Sequence, residues 1–177
     1  ADGTPEAVQF QANVATAGFQ HNTDIAVAAD GSFVVVWQDD GQQAAQDIFL
    51  RTFDADGDPT SGEIAVNQSE GFFRRRPAVA MDALGNLVVA WEAEIAGEEQ
   101  NIYARRFDAA GTPLSDEFRV NATVAGGQKE PDVARRGTGE FLVVWESLGQ
   151  DGDGAGVYGQ RYSALGVASG PEFRVNL

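Results

Sequence analysis

The sequence predicts an all-β protein made of three tandem four-stranded antiparallel units that stack as β-propeller-type blades. Three observations predict this fold. Tryptophan recurs at a fixed spacing of 54 residues, at Trp37, Trp91 and Trp145. Each repeat contains short runs of β-branched and aromatic residues bounded by Gly, Asp, Asn and Pro, which is typical of strands. No window shows a sustained helical period of apolar residues.

The repeat defines the domain organisation, because self-similarity at such a period indicates stacked repeat architectures. Besides Trp, the units share an aromatic residue that ends the third run and an Asn that ends the fourth. These signature residues are Phe53, Phe107 and Tyr162, and Asn13, Asn67, Asn121 and Asn176. We predict a single repeat domain over residues 1–177, with units at approximately 14–67, 68–121 and 122–176. Residues 1–13 resemble the tail of a repeat, which predicts a spare fourth strand that can complete a neighbouring sheet.

The four runs of the second unit are residues 77–81, 87–91, 102–107 and 118–121. The second run is continuously apolar in every unit, and a strand with one face in water alternates whereas one covered on both faces does not. The fourth run alternates, which suits an outer strand. A sheet with a buried middle and a half-exposed outer edge is typical of stacked propeller blades.

Two alternatives remain open on the sequence. A β-trefoil also contains three units of four strands, although barrel strands are expected to alternate more strictly than these central runs. Three blades are also too few to close a ring, since propellers begin at about four blades. A second copy of the chain could close a six-bladed ring, or the blades could belong to a longer array.

Composition excludes several function classes. The net charge of −15 repels nucleic acid and anionic membrane surfaces, and it favours cations or a basic partner. The absence of cysteine excludes disulfides and thiolate metal sites. No apolar run is long enough for a transmembrane segment.

The long connections after the second and fourth runs of each unit are the predicted site of function, because loops on a rigid scaffold carry binding residues. They are rich in acidic residues. The connection in the third unit contains Asp151-Gly152-Asp153-Gly154, which resembles the start of a calcium loop but lacks the downstream Glu. We therefore predict no cofactor, or calcium bound by Asp151 and Asp153; the alternative is a flexible acidic turn.

A basic cluster lies in the connection between the first two units. Phe72, Phe73, Arg74, Arg75 and Arg76 combine aromatic side chains with guanidinium groups that bind carboxylates, which predicts a partner-binding patch. The alternative is that the arginines pair with neighbouring acidic loops while a Phe covers the core.

Nothing in the sequence marks an enzyme. There is one histidine, His21, no cysteine, and no Gly-x-Ser-x-Gly motif around a nucleophile. The sequence therefore predicts a protein that is not an enzyme. Paired carboxylates for glycoside hydrolysis stay open, since only their separation identifies them.

Three motifs carry a resemblance to a known family. They are Gly139-Glu140-Phe141-Leu142-Val143-Val144-Trp145, Val157-Tyr158-Gly159-Gln160-Arg161-Tyr162 and Glu172-Phe173-Arg174-Val175-Asn176. They resemble the tandem repeats of large secreted or cell-surface bacterial proteins, often of RTX type. The resemblance implies an extracellular or periplasmic bacterial setting and propeller-like packing, and it implies no activity.

The sequence thus predicts a non-catalytic extracellular or periplasmic module for binding or assembly through protein–protein contacts. The partner is another protein or a second copy of the chain. The alternatives are a lectin-like carbohydrate-binding module and a calcium-stabilised adhesion module. The Trp residues end buried runs, so we expect them in the core rather than on a sugar-binding surface.

Overall fold

A computed structural model describes residues 9–41, 46–68, 73–94, 97 and 99–176. These residues form strands and no helix, so none of them belongs to a helix that could cross a membrane. The strands are β1 (Gln20–Val27), β2 (Phe33–Asp39), β3 (Asp47–Phe53), β4 (Ile64–Ala65), β5 (Phe73–Met81), β6 (Leu87–Glu94), β7 (Asn101–Phe107), β8 (Phe118–Arg119), β9 (Gln128–Arg135), β10 (Phe141–Leu148), β11 (Ala155–Tyr162) and β12 (Phe173–Arg174).

The strands form three separate four-stranded antiparallel sheets in chain order, β1 to β4, β5 to β8 and β9 to β12, which we call blades 1, 2 and 3. We call β1, β5 and β9 the inner strands, because β1 packs on β5 and β5 packs on β9. The two-residue strands β4, β8 and β12 form the opposite, outer edges. This propeller-type arrangement confirms the predicted fold class. The β-trefoil alternative is wrong, because the sheets stack as separate layers instead of closing into one barrel.

The core lies between the blades. Val34 and Val36 of blade 1 pack with Val89 and Trp91 of blade 2. The intervening residues of β6 face blade 3, so all but the last residue of β6 are buried. In β10, by contrast, buried and less buried residues alternate. The continuous apolar run therefore has two covered faces in blade 2, but blade 3 leaves one face partly open to water.

The signature Asn residues join the outer edge of each sheet to its third strand. Each Asn side chain accepts a hydrogen bond at Oδ1 from the backbone N–H of an apolar residue in that strand. The pairs are Asn67 with Ile48 at 2.8 Å, Asn121 with Ile102 at 2.7 Å, and Asn176 with Val157 at 2.8 Å. Their recurrence is thus explained by a repeated hydrogen bond in the scaffold.

Segment 9–13 lies against blade 1. The Phe10 ring contacts the rings of Phe33 and Phe53 at centroid separations of 6.1 and 5.4 Å. Arg51 Nη1 donates a hydrogen bond to the Ala12 carbonyl at 2.8 Å. The equivalent arginine of blade 2 makes the equivalent bond to the end of unit 1, so segment 9–13 lies where the outer strand of a preceding blade would lie. It forms no strand, and residues 1–8 lie outside the described part of the chain.

Candidate functional site

Each inner strand has an irregularity at the same point, near the end where the long connections lie. The register of all three strands shifts there. The residues at these shifts are Asn22, Arg76 and Glu130, with φ of 51°, 51° and 52°, and they are the non-glycine residues of positive φ in the described part of the chain. Such a conformation costs about 1–3 kcal/mol per residue and is concentrated at functional sites. Bulges also redirect side chains, so these three residues are the first candidates for function.

A second set of polar residues faces the bulges from the neighbouring strands. These residues directly follow the signature Trp of β2, β6 and β10. In blade 1, Asn22 Nδ2 donates to Gln38 Oε1 at 2.8 Å, and in blade 2 Arg76 Nη1 bonds Glu92 Oε1 at 2.8 Å. Blade 3 has two glutamates at these positions. Three of these six residues lie on the inner strands and three on the strands next to them. We call the six residues the inner-strand cluster: Asn22, Gln38, Arg76, Glu92, Glu130 and Glu146.

Arg76 connects blades 2 and 3 within this cluster. Its Nη1 lies 2.8 Å from Glu92 Oε1 and 3.5 Å from Glu130 Oε1. The hydrogen bond and charge of Glu92 raise the pKa of Arg76, and the charges of Glu130 and Glu146 raise it further. Because one nitrogen contacts both oxygens, these oxygens lie at most about 6 Å apart, which does not exceed the separations found for carboxylate pairs in glycoside hydrolysis.

The two carboxylates differ in their access to solvent. The side chain of Glu92 is 2 % exposed and that of Glu130 is 62 % exposed. Glu92 also accepts a hydrogen bond from the backbone N–H of Glu130 at 2.6 Å. Glu92 is thus held in position, while the Glu130 side chain remains accessible to a ligand.

Blade 1 extends the cluster with neutral and titratable groups. Gln38 Nε2 donates to Asp40 Oδ1 at 2.8 Å, and Asp40 Oδ2 lies 3.0 Å from His21 Nε2. Asn22, Gln38, Asp40 and His21 therefore form a continuous chain of hydrogen-bonding groups. Such a chain presents both donors and acceptors at the surface.

Two exposed aromatic residues precede bulge residues of the cluster in the chain. Phe19 and Phe73 are 54 residues apart, each three residues before a bulge residue, and they are 77 % and 40 % exposed. The Arg75 guanidinium lies 5.1 Å from the centre of the Phe73 ring. Aromatic faces beside a few convergent polar groups are typical of small-molecule binding sites.

The predicted basic patch is only partly brought together. Arg76 belongs to the cluster, and Arg75 contacts the Phe73 ring and lies 3.6 Å from Glu94. Arg74 points between blades 1 and 2, where its side chain is 2 % exposed and bonds Asp47 at 3.0 Å. Arg74 therefore joins two blades and offers no surface to a partner. Phe72 lies outside the described residues.

The predicted calcium ligands lie in the turn between β10 and β11. Asp151 Oδ2 pairs with Arg174 Nη2 at 2.7 Å, and Asp151 Oδ1 accepts a hydrogen bond from the Asp153 N–H at 3.2 Å. Among the described residues, no three His, Asp or Glu side chains come together in a group that could hold a metal ion. Calcium at Asp151 and Asp153 stays a prediction.

The acidic long-connection end of the units is predicted by the sequence, whereas Phe19, Asn22 and Glu130 are not. The available signal was the repeat itself. Residues 22, 76 and 130 share one repeat position and carry an amide, a guanidinium and a carboxylate, whereas the Trp and Asn signature positions keep one residue type.

No protein-family model matches the chain, and no curated protein is significantly similar to it in sequence. Solved structures do share its fold. An N-acetylgalactosamine deacetylase from F. plautii, solved with blood group B trisaccharide, matches 97 % of this chain and 56 % of its own at a TM-score of 0.61 and 16 % identity. An endo-arabinase from Bacteroides thetaiotaomicron matches 84 % and 59 % at a TM-score of 0.55 and 15 % identity. An endo-1,4-beta-xylanase from the same organism matches 90 % and 62 % at a TM-score of 0.54 and 14 % identity.

The chain spans a little over half of the length of these structures, and at such identities the likeness shows the propeller-type fold alone. It nevertheless corrects two predictions. The expected non-catalytic protein-binding module and the expected lack of enzymatic activity are both wrong, because the structural neighbours are glycoside hydrolases and a deacetylase. The absence of a nucleophile motif does not exclude an enzyme, since glycoside hydrolysis requires only a suitably spaced carboxylate pair. The carbohydrate-binding alternative agrees better with these neighbours.

Proposed function

We propose that the chain is a carbohydrate-binding β-propeller module that holds a saccharide at the inner-strand cluster. The observation that carries this proposal is the triple bulge. Three equivalent positions adopt a strained backbone conformation and carry side chains of different hydrogen-bonding chemistry. Phe19 and Phe73, whose side chains are exposed, lie three residues before two of them in the chain.

This combination suits a sugar. Each sugar hydroxyl both donates and accepts hydrogen bonds, so a binding site requires groups of both kinds. Glu130 and Glu146 accept, Arg76 donates, and the amide of Asn22 does both. The apolar face of a pyranose ring matches an exposed aromatic ring, which supplies contact area without losing a buried polar group. The signature Trp residues are at most 2 % exposed and take no part.

Hydrolysis of a bound glycan is a second candidate function, favoured by the proximity of Glu92 and Glu130, which both contact Arg76 Nη1. A carboxylate pair at such spacing can protonate the leaving oxygen and attack the sugar or activate water. Glu130 would act from the solvent side. Glu92, which is held in position by Arg76 and by the Glu130 N–H, would be the second carboxylate of the pair.

The proposed setting is a secreted, cell-surface or periplasmic bacterial protein of RTX type. The support for it is the resemblance carried by the motifs around Trp145, Tyr162 and Asn176. The saccharide would then belong to an extracellular polysaccharide or to a cell-surface glycan.

Calorimetric titration with arabinan, xylan and N-acetylgalactosamine oligosaccharides tests the binding proposal. We expect one of these classes to bind, and Glu130→Gln and Phe73→Ala each to weaken binding about tenfold, the loss of one charge-assisted hydrogen bond or one stacking contact. Asp58→Asn, at an exposed turn at the far end of blade 1, is the matched control and should bind normally. The proposal is contradicted if none of the glycans binds, or if all variants bind with the same affinity.

Release of reducing ends from the glycan that binds tests hydrolysis. We expect Glu130→Gln to abolish release, while binding falls only about tenfold. Binding without release in the unmodified chain rejects the second candidate and leaves the first intact.

A further inference from the structure

The two ends of the blade stack expose positions that are buried at both internal junctions. Val79 of β5 and Val133 of β9 are 6 % and 8 % exposed, because each faces the preceding blade. Ile25 is the equivalent residue of β1 and is 55 % exposed. Blade 1 therefore presents one half of a blade–blade interface to solvent.

Blade 3 presents the other half. Ile48 of β3 and Ile102 of β7 face the following blade and are fully buried, at 0 % exposure. Their equivalent in β11, Val157, is 39 % exposed, and Leu148 at the end of β10 is 48 % exposed. We call the face of a blade that packs on the blade before it its preceding face, and the opposite face its following face. The following face of blade 3 and the preceding face of blade 1 are equivalent to the surfaces that pack together at the two internal junctions.

We propose that a second copy of the chain docks the preceding face of its blade 1 on the following face of blade 3. Two such contacts in one dimer bring six blades together and leave neither face open. The junctions between blades 1 and 2 and between blades 2 and 3 are the structural precedent for this contact. The inference is independent of carbohydrate binding.

An arginine at the internal junction shows how the new contact is made. Arg106 faces blade 3, and its Nη1 donates to the Leu165 carbonyl in the turn after β11 at 2.6 Å. Arg161 is the equivalent residue of blade 3, where it is exposed. The position equivalent to Leu165 in blade 1 is Asp56, in the turn after β3. Docking places Arg161 of one copy beside Asp56 of the other.

Charge reinforces this match. The end of blade 3 that carries Arg161 also carries Arg136 and Glu140, and these three residues line an open groove of about 430 Å³. The blade 1 turn carries three acidic residues, Asp54, Asp56 and Asp58. The guanidinium groups of Arg136 and Arg161 attract the acidic turn and fix the docking register. At the junction of blades 1 and 2, the equivalent groove is lined on one side by Met81, Gly85 and Ala109 of blade 2, and blade 3 lacks that second wall.

Segment 9–13 competes with this contact. It covers the outer part of the preceding face of blade 1 through Phe10. The residues Phe10-Gln11-Ala12-Asn13 repeat the pattern Phe173-Arg174-Val175-Asn176, so the outer strand of a docked blade 3 requires the same place. Docking therefore requires that either segment 9–13 or the outer strand of the docked blade 3 moves. Loss of Phe10 packing should therefore strengthen association, although removal of an exposed apolar residue ordinarily weakens it.

Sedimentation velocity over a range of protein concentrations tests the proposal with two charge reversals. We expect the unmodified chain to dimerise and to dissociate as salt rises. Arg161→Glu or Asp56→Arg alone should weaken the dimer at least about 100-fold, because each change places like charges at both contacts. An equimolar mixture of the two variants should restore the dimer, since each contact in the mixed dimer then pairs opposite charges. Restoration also shows that both variants are folded.

Arg119→Glu, on the outer strand of blade 2, is the control and should leave the dimer unchanged. Phe10→Ala should tighten association about threefold to tenfold. A monomer at every concentration overturns the proposal, as does a dimer that neither reversal weakens or that mixing does not restore.

Discussion

The ion pair between Asp82 and Arg135 tests how the blades are held together. Arg135 Nη2 lies 2.9 Å from Asp82 Oδ2, and the side chains are 2 % and 5 % exposed. Burial lowers the pKa of Arg135, and the charge of Asp82 opposes this effect. Asp82 belongs to blade 2 and Arg135 to blade 3, so the pair crosses a junction that is otherwise largely apolar.

We expect Asp82→Asn to lower the free energy of unfolding by about 3–5 kcal/mol, because it leaves a buried guanidinium without its carboxylate. The substitution keeps the acceptor of the turn, since Asp82 Oδ1 accepts hydrogen bonds from the backbone N–H groups of Leu84 and Asn86 at 2.9 and 3.0 Å. Asp108→Asn is the matched control. Asp108 Oδ1 accepts the equivalent bonds in an exposed turn without an arginine, and its replacement should cost below about 1 kcal/mol.

A double variant isolates the charge. Met81 occupies the position of Arg135 in blade 2, so Arg135→Met introduces a side chain that this repeat already uses. Asp82→Asn combined with Arg135→Met should be within about 1 kcal/mol of the unmodified chain, because replacement of a buried ion pair by a neutral pair is often nearly neutral.

Urea unfolding followed by the fluorescence of the three buried Trp residues measures these differences. With a slope of about 2 kcal/mol/M, Asp82→Asn should lower the midpoint by about 1.5–2.5 M. Equal urea midpoints for Asp82→Asn and Asp108→Asn would contradict a stabilising role of the ion pair, as would a double variant whose loss of stability equals the summed losses of Asp82→Asn and Arg135→Met.

Three further predictions concern a glycine, a tyrosine and calcium. Gly126→Ala should destabilise the protein more than Gly170→Ala. Both glycines have a positive φ, but only at Gly126 does an added Cβ collide with the Leu148 carbonyl. Equal urea midpoints for the two variants would contradict this. Burial raises the pKa of Tyr162 to about 12, so its stabilising contribution, present below the unfolded value of about 10, should fall as pH rises between these values. Tyr162→Phe should remove that dependence in alkaline unfolding curves. Calcium at Asp151 competes with Arg174, so calcium should raise the melting temperature of Arg174→Ala more than that of the unmodified chain, and no rise in either would reject the site.

The strand pattern and the blade stacking could be predicted from the sequence because they depend on the period of the repeat and on the pattern of apolar residues within each strand. The 54-residue recurrence of Trp shows three copies of one unit, and the uninterrupted apolar run 87–91 indicates a strand with two covered faces. Both are consequences of the burial of apolar side chains between layers, which any copy of the unit must achieve in the same way. The acidic long-connection end could be predicted for a similar reason, because the alternation of strands and turns decides which connections lie at the same end of the sheets.

The site itself could not be predicted in this way. Arg74 and Arg76 are two residues apart, yet one is buried between blades and the other faces Glu92 and Glu130. The difference arises from the bulge, where a positive φ reverses the direction of a side chain. The residue types at this position, Asn, Arg and Glu, do not predict a positive φ. The sequence by itself determined three stacked sheets and their acidic end, since these depend on composition and period. Only the tertiary structure decided which polar residues meet, because Arg76 and Glu130 are 54 residues apart in the chain and are brought together by the packing of one inner strand on the next.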